Sequence, residues 1–275
     1  MQIKIGVPSK GRLRKDVLKV FKNNKYNLIS ERGERDYFAK VKNKANLEII
    51  YLHAREIIER LGDNSLDIGF SGYDLLLEAS VNIQKKISIF KKYNFGNAKL
   101  VVAIPNQWID VQTIADLEEI SFEFKDNKKQ HIRVATKYPN LTRDFLFSKG
   151  VTQFKLIESL GATETYPFTG SSEIITDITS TGETLKANNL RILKDGTILS
   201  SSAFSAILIM YLLVTSKGVP AGKVSVALTV SLGMRGKKIN LVQPLIISVR
   251  ITKKTPTKPA KVVILLLSAI FNSGW

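Results

Sequence analysis

The run Asp177-Ile178-Thr179-Ser180-Thr181-Gly182-Glu183-Thr184-Leu185 gathers a carboxylate, a group of hydroxyls and a single glycine into one short stretch. A strand-like sequence leads into it and a helical one follows. Backbone N–H groups at such a turn converge on an anion. Ser180, Thr181 and Thr184 add hydroxyl donors to that set. Asp177, at the entrance, can accept hydrogen bonds from sugar hydroxyls, which a phosphate does not offer. The plainer alternative is an N-capped helix after a turn, where Ser/Thr-Gly clusters also collect. The segment is not a Walker loop, because no lysine follows the glycine.

Such a loop needs a scaffold, and the hydrophobic pattern supplies one. Residues 1–7 read as a buried strand, and Pro8-Ser9-Lys10-Gly11-Arg12 as the turn after it. Leu13, Val17, Leu18 and Phe21 then recur at helical spacing. Further strands are expected at residues 47–52 and 66–72, each followed by a helix, at 54–61 and 74–79. A second set starts near Phe95, with strands at 99–104 and 132–136 and helices at 114–119 and 139–149. Residues 190–200 read as a return segment. This alternation predicts an α/β fold of two lobes with a cleft between them. Lobe 1 is expected over residues 1–92 plus 190–203, and lobe 2 over 93–189.

Composition narrows the chemistry. The 275 residues contain no cysteine, which excludes disulfides and thiolate metal sites. His53 and His131 are the only histidines, so a histidine-rich metal site is disfavoured, and both read as ordinary surface or strand-end residues. The net charge of +17 is unevenly placed: residues 204–275 hold ten Lys/Arg and no Asp or Glu. The first 203 residues carry the other 31 basic and all 24 acidic residues. A moderate basic excess there suits a cleft for polyphosphates, and nucleic acid is not the expected partner. The N-terminus enters a strand without a basic-then-apolar leader, so a cytoplasmic location is expected, with no membrane partner.

Six ordered blocks resemble the ATP phosphoribosyltransferase family. They are residues 8–13, 67–74 (Asp67-Ile68-Gly69-Phe70-Ser71-Gly72-Tyr73-Asp74), 94–105, 133–143, 161–167 and 177–190. The resemblance covers about residues 3–203 and favours the short form of the family. It implies a periplasmic-binding-protein-like (type II) fold. It also implies Mg2+-dependent transfer of phosphoribosyl from phosphoribosyl pyrophosphate to N1 of ATP, the first step of histidine synthesis. Its partners would be those two substrates. Homo-oligomers, or hetero-oligomers with a regulatory subunit resembling histidyl-tRNA synthetase, are implied as well.

Residue roles follow from the same resemblance. Arg12, Glu164 and Asp177 are the implied catalytic set. Lys10, Asp74, Ser180, Thr181, Gly182, Glu183 and Thr184 are the implied substrate contacts. The 5′-phosphate would lie on the backbone of residues 180–184. Asp177 and Glu164 would hold ribose hydroxyls or metal waters. Lys10 and Arg12 would meet ATP phosphates or pyrophosphate. Magnesium would be held mainly by substrate oxygens, without a direct protein ligand. Three positions depart from the family pattern. Glu183 stands where a small residue is usual, and Glu173 and Glu56 stand where Asp is usual.

The resemblance stops near Ala203. The absence of acidic residues beyond it suggests a C-terminus that is not the family's own, as a frameshift would produce. A divergent regulatory domain or a membrane-associating extension are the alternatives. Two other functions compete with the transferase: a non-enzymatic two-lobed protein binding small anions, and a nucleic-acid binder using the basic tail.

Overall fold

A computed structural model of the chain describes residues 2–30 and 36–208. Two sheets organise them. The first lobe is built from β1 (Ile3–Pro8), α1 (Gly11–Asn23), β2 (Leu28–Ile29), β3 (Phe38–Val41), β4 (Lys44–Leu52), α2 (Ala54–Gly62), β5 (Ile68–Gly72), α3 (Tyr73–Glu78), α4 (Val81–Lys86) and β6 (Ile87–Lys92). The second is built from β7 (Ala98–Pro105), α5 (Ile114–Lys128), β8 (Ile132–Thr136), α6 (Pro139–Ser148), β9 (Phe154–Glu158), a 3-10 turn at Thr163–Thr165, β10 (Ile174–Thr179), α7 (Glu183–Ala187) and β11 (Leu190–Ser201). A last strand, β12 (Ala203–Leu208), returns to the first lobe.

The first sheet runs β2-β3-β4-β1-β5-β12-β6. Strand β1 is parallel to both β4 and β5, so their carboxyl ends and the turns after them share one edge. Between these strands and α2 the backbone is close: a Cβ on Gly69 would lie 2.5 Å from an Ile57 methyl. Ile57, Ile58 and Leu61 of α2 fill that interface, and Phe204 and Ala206 join the same core. The second sheet runs β11-β7-β10-β8-β9. Alternate residues of β7 supply its two faces. Val102 and Ile104 pack with Ile114, Leu117 and Leu146. Val101 and Ala103 pack with Leu185 and Leu190. This is the period-two pattern of a sheet covered on both sides.

Several boundaries differ from those the pattern predicts. Residues 190–201 do not return to lobe 1. They form β11, the edge strand of the second sheet, antiparallel to β7. Its apolar residues satisfy that sheet, and the crossing follows only at Ser202. Strand β12 then lies between β5 and β6 and extends to Leu208, five residues past the expected boundary at Ala203. Residues 204–208 are thus part of the first sheet. The expectation of an atypical tail otherwise falls on residues 209–275, outside the described residues. Helix α5 runs to Lys128, well beyond the short helix expected. A Thr113/Asp116 capping box starts it, and Lys129 in the left-handed region at φ 53° ends it.

Candidate active site

The turns that follow β1 and β10 leave the carboxyl ends of their strands, where ligands of open α/β sheets gather. On the first lobe, β1 leads through Ser9 and Lys10 into α1. Lys10 and Arg12 are exposed there, and α1 has no acidic residue in its first turn. On the second lobe, β10 leads through Ser180 to Gly182 into α7. The two turns meet: Arg12 Nη2 donates to Ser180 Oγ at 2.8 Å, across 168 residues of sequence. That hydrogen bond joins the basic turn of one lobe to the hydroxyl loop of the other.

The loop is ordered by its own hydroxyls. Gly182 N–H donates to Thr179 Oγ1 at 2.8 Å, and Glu183 N–H to Thr181 Oγ1 at 3.4 Å. Gly182 has φ 79°, which an L side chain rarely adopts. A Cβ at Gly182 would meet nothing within 4 Å, so backbone conformation, and not crowding, requires the glycine in the unliganded protein. Thr184 and Glu183 are exposed on the first turn of α7. A carboxylate beside an anion-binding loop would repel its ligand if buried there, but the exposed Glu183 side chain keeps its solvation.

Asp177 sits one strand position above a buried triangle of hydroxyls formed by Thr136, Thr142 and Thr176, with contacts of 2.6–3.2 Å. Burial raises the Asp177 carboxyl above the ordinary range, and the Glu164 charge raises it further. Lys137 and the Ile178 N–H, which donates to Asp177 Oδ1 at 2.8 Å, oppose that rise. Glu164, on the 3-10 turn, is therefore brought into the same electrostatic environment. A cation or a set of hydroxyl donors beside Asp177 would relieve the rise that burial imposes on its carboxyl.

Asp74, an expected substrate contact, is held by protein groups of the second lobe. It is 6% exposed. Its Oδ2 accepts from the Tyr138 hydroxyl at 2.8 Å, and its Oδ1 from Ser201 Oγ at 2.6 Å. Ser201 Oγ also accepts from the Asp74 N–H at 3.0 Å. The carboxylate is committed to joining lobes because α3 begins where β5 ends and its first turn abuts both Tyr138 and the end of β11. Burial, then the Asp74 charge, pushes the Tyr138 hydroxyl far above its ordinary value, so it remains a donor.

Two residues of this region, Arg55 and Glu78, carry no motif and escaped the sequence reading, whereas Lys137 lies in the block at 133–143. Arg55 Nη2, on α2, donates to the Lys137 carbonyl at 2.6 Å. Glu78, one helical turn beyond Asp74 and 3% exposed, accepts from the N–H groups of Asn140 and Leu141 at 2.9 and 3.0 Å. The Lys137 charge partly offsets the rise that burial imposes on the Asp177 carboxyl. The acidic pair at positions 74 and 78 was the available signal, because i and i+4 share a helix face. His53 caps α2, its Nδ1 accepting from the Arg55 N–H at 3.4 Å. Glu173 holds Arg133 through paired contacts as short as 2.6 Å. Burial raises its carboxyl, but Arg133 outweighs burial and leaves it below the ordinary range. Glu56 pairs with Arg60 on the surface.

Fold and site together define a two-lobed α/β protein built on two mixed sheets, with a basic turn of one lobe meeting a hydroxyl loop of the other. The sequence model of the ATP phosphoribosyltransferase family matches residues 53–211. The chain belongs to that family. It is 45% identical over 199 residues to an ATP phosphoribosyltransferase of Nitrobacter winogradskyi, covering 72% of this chain but 61% of that protein. It is 41% identical over 204 residues to one from Brucella melitensis, covering 74% of this chain and 88% of that protein. Among solved structures it is similar to a chain of the ATP phosphoribosyl transferase (HisG:HisZ) complex from Thermotoga maritima. The TM-score is 0.58 at 26% identity, over 75% of this chain and 87% of that one.

Proposed function

We propose that the chain catalyses transfer of the phosphoribosyl group from phosphoribosyl pyrophosphate to N1 of ATP, the step that opens histidine biosynthesis. The adenine N1 lone pair attacks the anomeric carbon. The bond from that carbon to the pyrophosphate oxygen breaks, its electron pair leaves with pyrophosphate, and the configuration inverts. Such chemistry asks the protein to hold two polyanions in line and to neutralise the departing charge. The observation that carries the reading is the Arg12–Ser180 contact, which sets a basic turn against the hydroxyl loop beside Asp177.

In this reading the backbone and hydroxyls of Ser180 to Thr184 hold the 5′-phosphate, and Glu183 contributes its N–H while its carboxylate stays in solvent. Asp177 and Glu164 orient the ribose hydroxyls. Lys10 and Arg12 bind the polyphosphate, Arg12 through the planar fork that suits phosphate. Asp74 acts by joining the lobes. The Asp177 carboxylate, whose ionised form burial disfavours, offers oxygen donors of the kind a hard divalent cation takes. When bound, Mg2+ would neutralise charge developing on pyrophosphate.

The Thermotoga maritima relative was solved as a complex, and a regulatory subunit resembling histidyl-tRNA synthetase is proposed as a partner here, with self-association as the other form of assembly. A cytoplasmic location accords with these substrates. The test is formation of the product's absorbance from ATP, phosphoribosyl pyrophosphate and Mg2+, with and without a short-form regulatory subunit. No product in either case, with intact binding of neither substrate, would overturn the reading.

A further inference from the structure

The chain crosses between lobes at two adjacent places, residues 93–97 and Ser202, and these crossings are bonded to each other. Tyr93 N–H donates to the Ala203 carbonyl at 2.9 Å, and Ala203 N–H to the Phe95 carbonyl at 3.0 Å. Two neighbouring crossings make a hinge, and a hinge leaves the angle between lobes to be set by other contacts. Helix α3 supplies them. Asp74 reaches Tyr138, and Glu78 reaches the start of α6.

The Glu78 contact has a particular consequence. Helix α6 starts with Pro139, which has no N–H, and its cap residue Tyr138 makes no side-chain cap bond. The next two donors, Asn140 and Leu141 N–H, both go to the single carboxylate of Glu78. Asn140 Nδ2 also donates to the Glu78 carbonyl at 3.0 Å. A lobe 2 helix is thus capped from lobe 1. Separating the lobes takes the cap away, so its stabilisation belongs to the closed state alone. A difference of this kind between two states is what biases an equilibrium between them. A cavity of about 240 Å³ lined by Arg55, Glu59, Glu78 and Asn140 borders the contact, which leaves space for the carboxylate to release the amides.

We propose that Glu78 is a positioning residue that sets lobe closure, acting through α6 to bring Arg12 within reach of Ser180. Its kinetic part rests on the reaction proposed above; its conformational part does not. The full chain has no cysteine, so cysteines replacing exposed Lys15 on α1 and Lys125 on α5 can carry a pair of distance labels. In Glu78→Ala the label distance without ligand should lengthen or its distribution broaden. The KM for phosphoribosyl pyrophosphate should rise about five- to tenfold, the scale of a lost cap, while kcat stays within about twofold. Glu78→Gln keeps one acceptor and should fall between wild type and Glu78→Ala. It also decides the matter if the alanine variant does not fold. An unchanged distance distribution in both variants, or a fall in kcat with KM unchanged, would overturn the proposal. If wild type yields no product, the reaction reading fails, and the label distances alone decide the role of Glu78.

Discussion

Arg12 on the first lobe donates a 2.8 Å hydrogen bond to the hydroxyl of Ser180 on the second. Both residues are exposed, so the bond contributes little to stability by itself. Its value is positional. A ligand anion on the hydroxyl loop would find the guanidinium already there. Arg12→Ala should therefore leave the melting temperature nearly unchanged and lower kcat/KM by about 10- to 150-fold, the range for a lost hydrogen bond to a charged group. Ser180→Ala should cost less, about tenfold, because the loop's backbone N–H groups and the Thr181 and Thr184 hydroxyls still hold the phosphate. Steady-state kinetics on both variants, with melting curves as controls, checks the order.

Asp177→Asn separates catalysis from stability. The folded Asp177 pKa is raised, chiefly by burial, so the native state retains this proton more strongly than the unfolded chain. Stability is therefore lost as pH rises from the ordinary carboxyl range through the raised folded value, and the loss is complete above it. Asparagine removes that penalty. The variant should melt higher than wild type at neutral pH, and the advantage should shrink on acidification. Turnover should fall about 10- to 150-fold through loss of a charged hydrogen bond to the ribose. Melting curves at several pH values, beside kinetics, test both halves.

Gly182→Val should strain the loop because of its backbone angle, φ 79°, and not through a clash. A left-handed conformation costs an L residue about 1–2 kcal/mol, with a β-branched side chain at the upper end. Lower thermal stability and lost phosphoribosyl pyrophosphate binding are expected together. Gly182→Asn, which tolerates the left-handed region better, should recover most of the stability. Titration calorimetry with each variant distinguishes strain from simple loss of space.

Tyr138→Phe removes the donor that Asp74 Oδ2 faces in the buried lobe contact. Ser201 still serves the other oxygen. Leaving one buried carboxylate oxygen without its partner should cost about 1.5–3 kcal/mol. Chemical denaturation measures it. The double variant Tyr138→Phe/Asp74→Asn should lose less than the sum of the two single changes, since the buried charge is then gone.

Much of the site was legible because its parts are local. The strand–turn–helix that presents Lys10 and Arg12, and the hydroxyl loop that follows Asp177, are set by short-range pattern. Alternating apolar residues place the strands, and glycine with hydroxyl residues places the turns. The same locality explains the glycine at position 182. What nearby residues decide, the sequence by itself determined: two α/β sets, the order of the loops and the side chains they carry.

Only the tertiary structure decided which lobe residues 190–201 join, because their apolar alternation suits either sheet and the choice rests on pairing with β7. It likewise turned Asp74 from a cleft carboxylate into a lobe contact, since Tyr138 and Ser201 lie 64 and 127 residues away from it. Glu78 and Arg55 have no motif to betray them. Their meaning depends on the amides and carbonyl they reach at Asn140, Leu141 and Lys137, groups every residue owns. Local pattern cannot say which backbone group lies opposite a side chain; packing two lobes around a hinge does.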